Sequence, residues 1–344
     1  MEIISKSGTY KVIFTDAKEI KDNGNSFFIV DNFFKGSEIL DAIDSKRTIF
    51  IEADEKHKEY ISCSLVIEDL IKRGFKKNNI LVAVGGGVIQ DITSFIASIL
   101  FRGVEWEFLP TTLLAQGDSC IGSKTSINFG NYKNQIGGFY PPRKITICLD
   151  FLETLPEEQI LSGIGEMSHY FLLDSADSFM YFKEFDFNSD LQPLIEKSLS
   201  IKKKMVEIDE FDTGPRVVFN YGHSFGHAIE CAKNYSIPHG IAVAKGMDIA
   251  NFISLQLGFI NEKDFESMRA SIGFISEKAD LSGITPKDIS EALKKDKKNR
   301  GNKLGLILTK GVGNMYLEYM DSHTVLKYLE LYFVSQENVD MSKV

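Results

Sequence analysis

Three of the six histidines in the chain lie close together, at positions 223, 227 and 239. If the residues from Ser224 to Lys233 form a helix, His223 and His227 project from one face, because positions four apart lie one turn apart. His239 follows sixteen residues after His223. Imidazoles are ligands of Zn²⁺ and similar ions, and a catalytic site uses three protein ligands and keeps one position open. The spacing is therefore consistent with a metal site that also needs an acidic ligand, although the histidines could instead cap or cover a helix.

The composition of the 344-residue chain favours a globular protein that acts on small molecules. With 43% hydrophobic residues, the chain can build two domains with sizeable cores. A net charge of −9 argues against nucleic acid or an anionic membrane as a general partner. The four cysteines show no C-x-x-C spacing, no apolar run is long enough to span a bilayer, and the start lacks a secretory signal, so we expect a cytoplasmic protein.

Short β-branched runs alternate with helical patterns up to about residue 155, and longer helical patterns follow. The first pattern is typical of a parallel sheet with crossover helices. We therefore predict an α/β protein with an N-terminal Rossmann-like parallel-sheet domain, residues 1–155, and a C-terminal, mainly α-helical metal-binding domain, residues 156–344. The polar, glycine-bearing segment 113–128 is suited to a site, and the residues around 133–142 are predicted to be loop.

A glycine run, Gly85 to Gly87, follows the apolar segment from Asn79 to Val84 and precedes a helical pattern. This order can bind a pyrophosphate, because glycine lets the backbone approach the anion and the first N–H groups of the helix point at it. A simple tight turn is the alternative, since Gln90 breaks the G-x-G-x-x-G pattern. Asp31, at the end of another apolar run, could accept hydrogen bonds from ribose hydroxyls or cap the next turn. Asp91 could simply compensate the dipole of its helix.

Several motifs resemble, in order and spacing, those of the sugar-phosphate cyclases, and within them the dehydroquinate synthases, from about Asp31 to Gly313. They are Gly85 to Ile89, Phe101 to Val104, Pro110 to Gln116, Asp118-Ser119, Lys124-Thr125, Lys133-Asn134, Gly222 to Glu230 and Asp296 to Lys298. The resemblance implies that the protein is an enzyme that binds NAD⁺ and a divalent metal ion, Zn²⁺ or Co²⁺.

The resemblance also assigns residues to both groups. NAD⁺ would be bound by Asp31, Glu55, Lys58, Gly86, Gly87, Asp91, Thr111, Thr112 and Thr154. The metal would be held by Glu166, His223 and His239, so that Glu166 is the acidic ligand that the histidines require. His227 would contact the substrate phosphate instead of the metal.

Enzymes of this family cyclise a phosphorylated ketose without net redox change. NAD⁺ oxidises a ring hydroxyl, phosphate is eliminated, NADH reduces the ketone again, and an aldol step closes the carbocycle. The resemblance implies catalytic roles for Asp118, Lys124, His169, Asn220 and His227. It implies substrate contacts for Arg102, Lys133, Asn134, Lys202, Arg216, Lys297 and Lys298, and only one of the last two lysines need reach the site. Arg102 would reach the site of a neighbouring subunit, which implies a homodimer.

Lys202 and Arg216 indicate the substrate class. They lie twenty-one and seven residues before His223, where dehydroquinate synthases carry the pair that binds a carboxylate. This register favours a 3-deoxy-ulosonic acid 7-phosphate such as 3-deoxy-arabino-heptulosonate 7-phosphate, although Lys202 could instead lie on a solvated helix face. The alternatives are a cyclase for a different ketose or modified ulosonate phosphate, a metal-dependent NAD dehydrogenase, and a protein that only binds such ligands.

Three positions depart from the family pattern. His169 stands where a lysine is usual three residues after the metal-binding glutamate, which would alter or remove a contact with a substrate hydroxyl. Ile241 stands where a glutamate is usual, which would remove an acceptor beside the metal site. Gln90 replaces a glycine of the turn and is expected to shift helix packing beneath the pyrophosphate.

Overall fold

The computed structural model describes residues 1–130, 132–295 and 298–342. Lys297, for which a substrate contact is expected, lies outside the described residues. The chain divides into two compact units. The first comprises Met1–Pro156 and Lys202–Phe211, and the second comprises Glu157–Ile201 and the chain from Asp212 onward.

The first unit is built on a seven-stranded sheet and a separate hairpin. Its strands are β1 (Glu2–Ile3), β2 (Tyr10–Phe14), β3 (Ser26–Asp31), β4 (Thr48–Ile51), β5 (Ile80–Gly85), β6 (Trp106–Pro110), β7 (Lys124–Phe129), β8 (Tyr132–Phe139) and β9 (Lys144–Ile147). The order in the large sheet is β1-β2-β9-β6-β5-β3-β4, with β1 antiparallel to β2 and the other neighbours parallel. The predicted Rossmann-like parallel sheet is confirmed.

The central strands are apolar on both faces. Every residue of β5 is buried, as expected for a parallel strand covered on both sides. Helices α1 (Tyr60–Lys72) and α2 (Gly87–Ile99) belong to this unit. The core on one side of the sheet contains Phe28, Val30, Val84 and Phe151.

The prediction of a loop around residues 133–142 is wrong for most of these residues, because β8 extends to Phe139. β7 and β8 pair there as an antiparallel hairpin, with Thr125 opposite Gly138. β8 exposes most of its residues and includes two glycines, so its sequence lacks the apolar alternation of a half-buried strand. A Cβ atom on Gly137 would overlap the carbonyl oxygen of Thr125, so glycine permits the close pairing.

The second unit is mainly helical, as predicted. Its helices are α3 (Glu157–Asp174), α4 (Ala176–Glu184), α5 (Gln192–Ile208), α6 (His223–Ala232), α7 (His239–Gln256), α8 (Glu262–Ser276), α9 (Pro286–Leu293) and α10 (Ser322–Ser342), and β10 (Lys303–Thr309) pairs with β11 (Met315–Asp321). The part of α5 from Lys202 onward belongs to the first unit. α7 is buried from Gly240 to Ser254 and packs against α3, α6 and α8, which explains its apolar character on all faces.

Among the described residues, no helix combines the length and the apolar character needed to cross a bilayer.

Candidate active site

Three helices of the second unit bring the predicted metal ligands together. Glu166 lies within α3, and His223 and His239 are the first residues of α6 and α7. Nε2 of His223 lies 3.2 Å from Oε1 of Glu166, and Nε2 of His239 lies 3.3 Å from Oε2. Glu166 is only 3% exposed. A buried carboxylate and two imidazoles thus converge on one point, with their ligand atoms within 4.8 Å of one another.

The outer nitrogen of each histidine faces an acceptor. Nδ1 of His223 lies 3.2 Å from the carbonyl oxygen of Tyr221, and Nδ1 of His239 lies 3.1 Å from a carboxylate oxygen of Glu230. In the neutral rings these contacts place the proton on Nδ1, so the Nε2 lone pairs point at Glu166. A proton on Nε2 or a bound metal ion can occupy the position between each ring and the carboxylate. The donor set therefore fits a divalent ion of the zinc type, with the supporting acceptors that such sites usually have.

The electrostatics of the cluster agree with this assignment. Burial opposes ionisation of Glu166, but the charges and hydrogen bonds of His223 and His239 hold its pKa well below its usual range. Burial likewise opposes the charged form of His239, yet Glu166 and Glu230 raise the pKa of His239 well above its usual value. The carboxylates thus favour positive charge at this point of the site.

Glycines allow the helices that carry these ligands to approach closely. Gly165 precedes Glu166, and Gly240 follows His239. A Cβ atom on Gly240 would overlap the carbonyl oxygen of Ser162, and one on Gly165 would overlap the carbonyl oxygen of Gly240. The backbones of α3 and α7 are therefore in contact beside the ligands, which places Glu166 next to His239.

His227 lies one turn after His223 on α6. Its ring centroid is 5.6 Å from that of His223 and 5.5 Å from that of His239. Desolvation, the charges of His239 and His223 and, to a smaller extent, that of Lys298 lower the pKa of His227 to about 3. His227 also forms a second group of potential ligands with Glu230 and His239.

His169 is buried in the wall of the cluster. It is 1% exposed, and its Nδ1 contacts the carbonyl oxygen of Glu166 one turn earlier in α3. The His169 ring packs at 3.8 Å from that of Tyr170 and at 5.1 Å from that of His223. The catalytic role expected for His169 stays a prediction.

Ile241 is buried in α7, and the acceptor seen beside His239 is Glu230. The loss of an acceptor expected from Ile241 stays a prediction. Two other predicted residues lie on the turn before α6, Pro215–Asn220. Arg216 is buried, and the side-chain amide of Asn220 donates to the carbonyl oxygen of Val217 at 3.0 Å.

In the first unit, the glycine run joins β5 to α2 as predicted. Gly85 ends β5 opposite Pro110 of β6, and Gly86 caps α2. A Cβ atom on Gly86 would lie 2.9 Å from Cγ2 of Thr112, whereas one on Gly87 would meet no atom within 4 Å. The backbone N–H of Thr111 donates to Gly85. The start of α2 is thus packed against Thr112 at Gly86, whereas Gly87 faces space that no atom of the described residues fills.

A polar network lies beside this turn and contains several residues predicted to bind NAD⁺ or substrate. Nζ of Lys58 lies 2.7 Å from Oδ2 of Asp91 and 2.7 Å from Oδ1 of Asn134. Asn128 donates to Glu55 at 2.7 Å and accepts from the backbone N–H of Asn134 at 3.0 Å. Burial raises the pKa of Asp91, and Lys58 opposes this shift. Asp91 is therefore an ion-pair partner. The expectation that it compensates the dipole from the first turn of its helix is wrong, because α2 begins at Gly87 and Asp91 lies beyond that turn.

Among the other predicted residues of the first unit, Lys133 joins this network through Glu55, at 3.5 Å, whereas Lys124 is exposed at the start of β7. Asp31 ends β3 and accepts from the backbone N–H of Phe33 at 3.0 Å, so it does cap a turn. Two more residues complete the set. The hydroxyl of Thr154 donates to Phe151 at 3.5 Å, and exposed Arg102 follows α2 with a left-handed φ of 63°.

Lys202 pairs with Asp118 in the first unit. Its ammonium group lies 2.6 Å from Oδ1 and 2.8 Å from the carbonyl oxygen of Asp118. Lys202 is 6% exposed. The alternative interpretation of Lys202 as a lysine on a solvated helix face is therefore wrong.

Sequence reasoning missed two residues that support the site. Glu230, which orients His239, lies three residues after His227 on α6, and this helical spacing could have identified it. Asn128, which joins Glu55 to Asn134, carries no comparable signal, because its role depends on the hairpin.

Solved structures of two synthases share the fold of this chain. A 2-deoxy-scyllo-inosose synthase solved with carbaglucose-6-phosphate, NAD⁺ and Co²⁺ matches with a TM-score of 0.83 and 23% identity, over 96% of this chain and 99% of that chain. The 2-epi-5-epi-valiolone synthase ValA from Streptomyces hygroscopicus subsp. jinggangensis 5008, solved with NAD⁺ and Zn²⁺, matches with a TM-score of 0.84 and 20% identity, over 97% of this chain and 99% of that chain. At these identities the likeness shows the fold, which is that of the sugar-phosphate cyclases.

Sequence comparison identifies the family within this class. The model for the 3-dehydroquinate synthase N-terminal region matches residues 48–162, and that for the C-terminal region matches residues 163–299. The 3-dehydroquinate synthase of Dictyoglomus turgidum (strain DSM 6724 / Z-1310) is 35% identical over 331 residues, which cover 93% of each chain. The chain belongs to the 3-dehydroquinate synthase family.

Proposed function

We propose that the protein is a cyclase of the 3-dehydroquinate synthase type. It converts a 3-deoxy-ulosonic acid 7-phosphate, such as 3-deoxy-arabino-heptulosonate 7-phosphate, into a carbocycle with loss of phosphate, through oxidation, elimination, reduction and aldol closure. The observation that carries the proposal is the convergence of His223 and His239 on the buried carboxylate of Glu166 in a chain of this family.

The residues present fit both groups that the reaction needs. We propose that Glu166, His223 and His239 hold Zn²⁺ or Co²⁺, which supplies positive charge to polarise a substrate hydroxyl during its oxidation. We propose that NAD⁺, the hydride acceptor and donor, binds at the start of α2 and the polar network of Lys58 and Asp91. Solved cyclases of the same fold contain these groups.

Two hydrogen-bond acceptors around the proposed metal position orient its histidine ligands. Glu230 and the carbonyl oxygen of Tyr221 hold protons on the Nδ1 atoms of His239 and His223. Each Nε2 atom therefore stays available as a ligand. At the start of α2, open at Gly87, the first N–H groups would donate to the pyrophosphate.

We also propose roles for the polar residues assigned to the substrate. Lys124, Lys133, Asn134, Asn220, His227 and Lys298 would donate to the phosphate group and stabilise the negative charge of the leaving group. Arg216 would bind the carboxylate through its planar guanidinium, and Lys202 would share this role. Arg102 contacts, the homodimer and the cytoplasmic location stay predictions.

Replacing Gly87 by alanine tests the proposed cofactor position. The new methyl group would meet no protein atom within 4 Å, so the free energy of unfolding is expected to change by less than about 0.5 kcal/mol. It would, however, occupy the place where the pyrophosphate approaches, so we expect the Kd for NAD⁺ to rise at least about tenfold. Calorimetric titration of NAD⁺ and urea unfolding measure the two quantities. An unchanged Kd would place the pyrophosphate elsewhere.

One observation favours a second candidate, a cyclase for a sugar phosphate that lacks a carboxylate. The Lys202 ammonium group is already paired with Asp118, which could neutralise it instead of leaving it for a substrate. In that case a ketose phosphate would be the better substrate.

The variant Lys202→Met separates these candidates. If Lys202 binds the carboxylate, the KM for the ulosonate phosphate should rise at least about thirtyfold, because a buried charge contact is lost. Initial rates are compared with a ketose phosphate without a carboxylate, and Asp118→Asn/Lys202→Met controls for the charge left on Asp118. If Lys202→Met raises the KM of neither substrate, or raises the KM of the ulosonate phosphate and of the ketose phosphate equally, Lys202 does not bind the carboxylate.

The proposed reaction itself is tested with the purified protein, NAD⁺, Zn²⁺ and 3-deoxy-arabino-heptulosonate 7-phosphate, by following inorganic phosphate, NADH absorbance and the product mass. A cyclase releases phosphate and forms the carbocycle without accumulating NADH. Accumulation of NADH without phosphate would instead indicate a metal-dependent dehydrogenase, and neither signal with any sugar phosphate would indicate a binding protein.

A further inference from the structure

A π-helical turn, Ala115–Ser119, carries Asp118 in the first unit. π-Helical turns are rare and often occur at functional sites. The turn is anchored at its start by the hydroxyl of Thr112, which accepts from the backbone N–H of Ala115 at 3.2 Å. The buried Gln116 side chain donates to the carbonyl oxygens of Pro110 and Cys148 at 3.1 and 2.9 Å. The beginning and middle of the turn are therefore fixed to the ends of β6 and β9.

Gln90 anchors the end of the same turn. Its side-chain amide donates to the carbonyl oxygen of Ser119 at 2.7 Å and accepts from the Ser119 hydroxyl at 2.6 Å. Gln90 is buried, and its own backbone N–H donates to Gly86 at 3.0 Å in the first turn of α2. A two-point contact of this kind fixes both the position and the rotation of the Ser119 peptide group.

The residue next to Ser119 depends on this orientation. Asp118 presents both its carbonyl oxygen and its carboxylate to the single ammonium group of Lys202, at 2.8 and 2.6 Å. Two acceptors of one residue can meet one ammonium group only if the backbone of the turn is held at the right angle. The glutamine on α2 thus holds the residue next to a buried ion pair that joins the π-helical turn to α5.

We propose that Gln90 is a positioning residue that keeps Asp118 in contact with Lys202. Through this pair it affects the KM for a substrate that carries a carboxylate. The inference rests on the proposed function for the identity of that substrate and for the role of Lys202 at its carboxylate. The Gln90 side chain points away from the turn between β5 and α2 and towards Ser119. The shift of helix packing expected from Gln90 stays a prediction.

The first test measures the accessibility of Lys202 and needs no turnover. Acetylation of the ligand-free protein by a water-soluble anhydride is followed by peptide mass spectrometry, with the largely exposed Lys72 as internal reference. In Gln90→Ala, the acetylation rate of Lys202 relative to Lys72 should rise at least about fivefold, because a buried paired amine becomes accessible. In Gln90→Glu the same ratio should rise at least as far, because the second carboxylate oxygen would face the carbonyl oxygen of Ser119. Ser98→Ala, on the same helix, is the matched control and should leave the ratio unchanged.

The second test is a double-mutant cycle on KM. Gln90→Ala should raise the KM for the ulosonate phosphate about tenfold with a smaller change in kcat, and this effect should shrink to less than about twofold in a Lys202→Met background. Equal effects in both backgrounds, or an unchanged acetylation ratio in Gln90→Ala, would overturn the proposal. If the unmodified protein turns over no sugar phosphate, the proposed function fails, while the acetylation ratio still decides whether Gln90 positions Lys202.

Discussion

Replacing Glu166 by glutamine is expected to lower the affinity for Zn²⁺, and with it kcat/KM, by at least about a thousandfold, because the proposed metal site loses its only carboxylate ligand. The amide has nearly the same volume as the carboxylate, so packing around the 3% exposed side chain is preserved. The two Nε2 atoms, however, would face a neutral group at 3.2 and 3.3 Å in place of the charge that favours a cation there. Competition with a chromophoric chelator measures Zn²⁺ affinity independently of turnover.

Glu230→Gln is the matched control for this prediction. It also removes a buried carboxylate, but one that contacts the outer nitrogen of His239 at 3.1 Å and not the metal position. Its effect on Zn²⁺ affinity should be about 10–100-fold, as for other supporting acceptors of metal ligands. If Glu166→Gln binds Zn²⁺ as well as Glu230→Gln does, the ligand set is not Glu166, His223 and His239.

Some of the site could be predicted because its signals are local. His223 and His227 lie within one helix, and the glycine turn is continuous in sequence from β5 to α2. Glu166 lies on a different helix, so spacing only required an acidic ligand without saying which one, and the family motifs were needed to identify it. The parallel sheet could be predicted from continuous apolar strands such as β5. The β7–β8 hairpin could not, because β8 is largely exposed, contains two glycines and is held by backbone pairing with β7.

The sequence around Lys202 contains two opposing indications of its burial. Lys202 lies among three consecutive lysines, which favours a solvated face. Yet Ile195, Leu199 and Val206, each fully buried, surround it at helical spacing, so Lys202 occupies the apolar stripe of α5. The stripe predicts that Lys202 is buried. Its partner is 84 residues away, on a π-helical turn that no local pattern predicts.

Replacing Gly240 by alanine is expected to destabilise the protein by at least about 3 kcal/mol and to abolish tight Zn²⁺ binding, since the added methyl group overpacks a backbone contact. It would overlap the carbonyl oxygen of Ser162, a backbone atom that no side-chain rotation can move aside. α7 would have to shift away from α3, and His239, the residue before Gly240, would move away from Glu166. Urea unfolding and chelator competition measure the two effects.

Gly273→Ala on α8 is the matched control, because it makes the same substitution inside a helix where the nearest atom, a Glu277 carboxylate oxygen, lies 4.0 Å away. Alanine has the higher helix propensity, so this variant should gain about 0.5–1 kcal/mol and bind Zn²⁺ normally. Comparison of Gly240→Ala with Gly273→Ala therefore separates the effect of the close helix contact on stability from the effect of helix propensity. If Gly240→Ala is as stable as Gly273→Ala and binds Zn²⁺ equally well, the approach of α3 to α7 does not set the distance between Glu166 and His239.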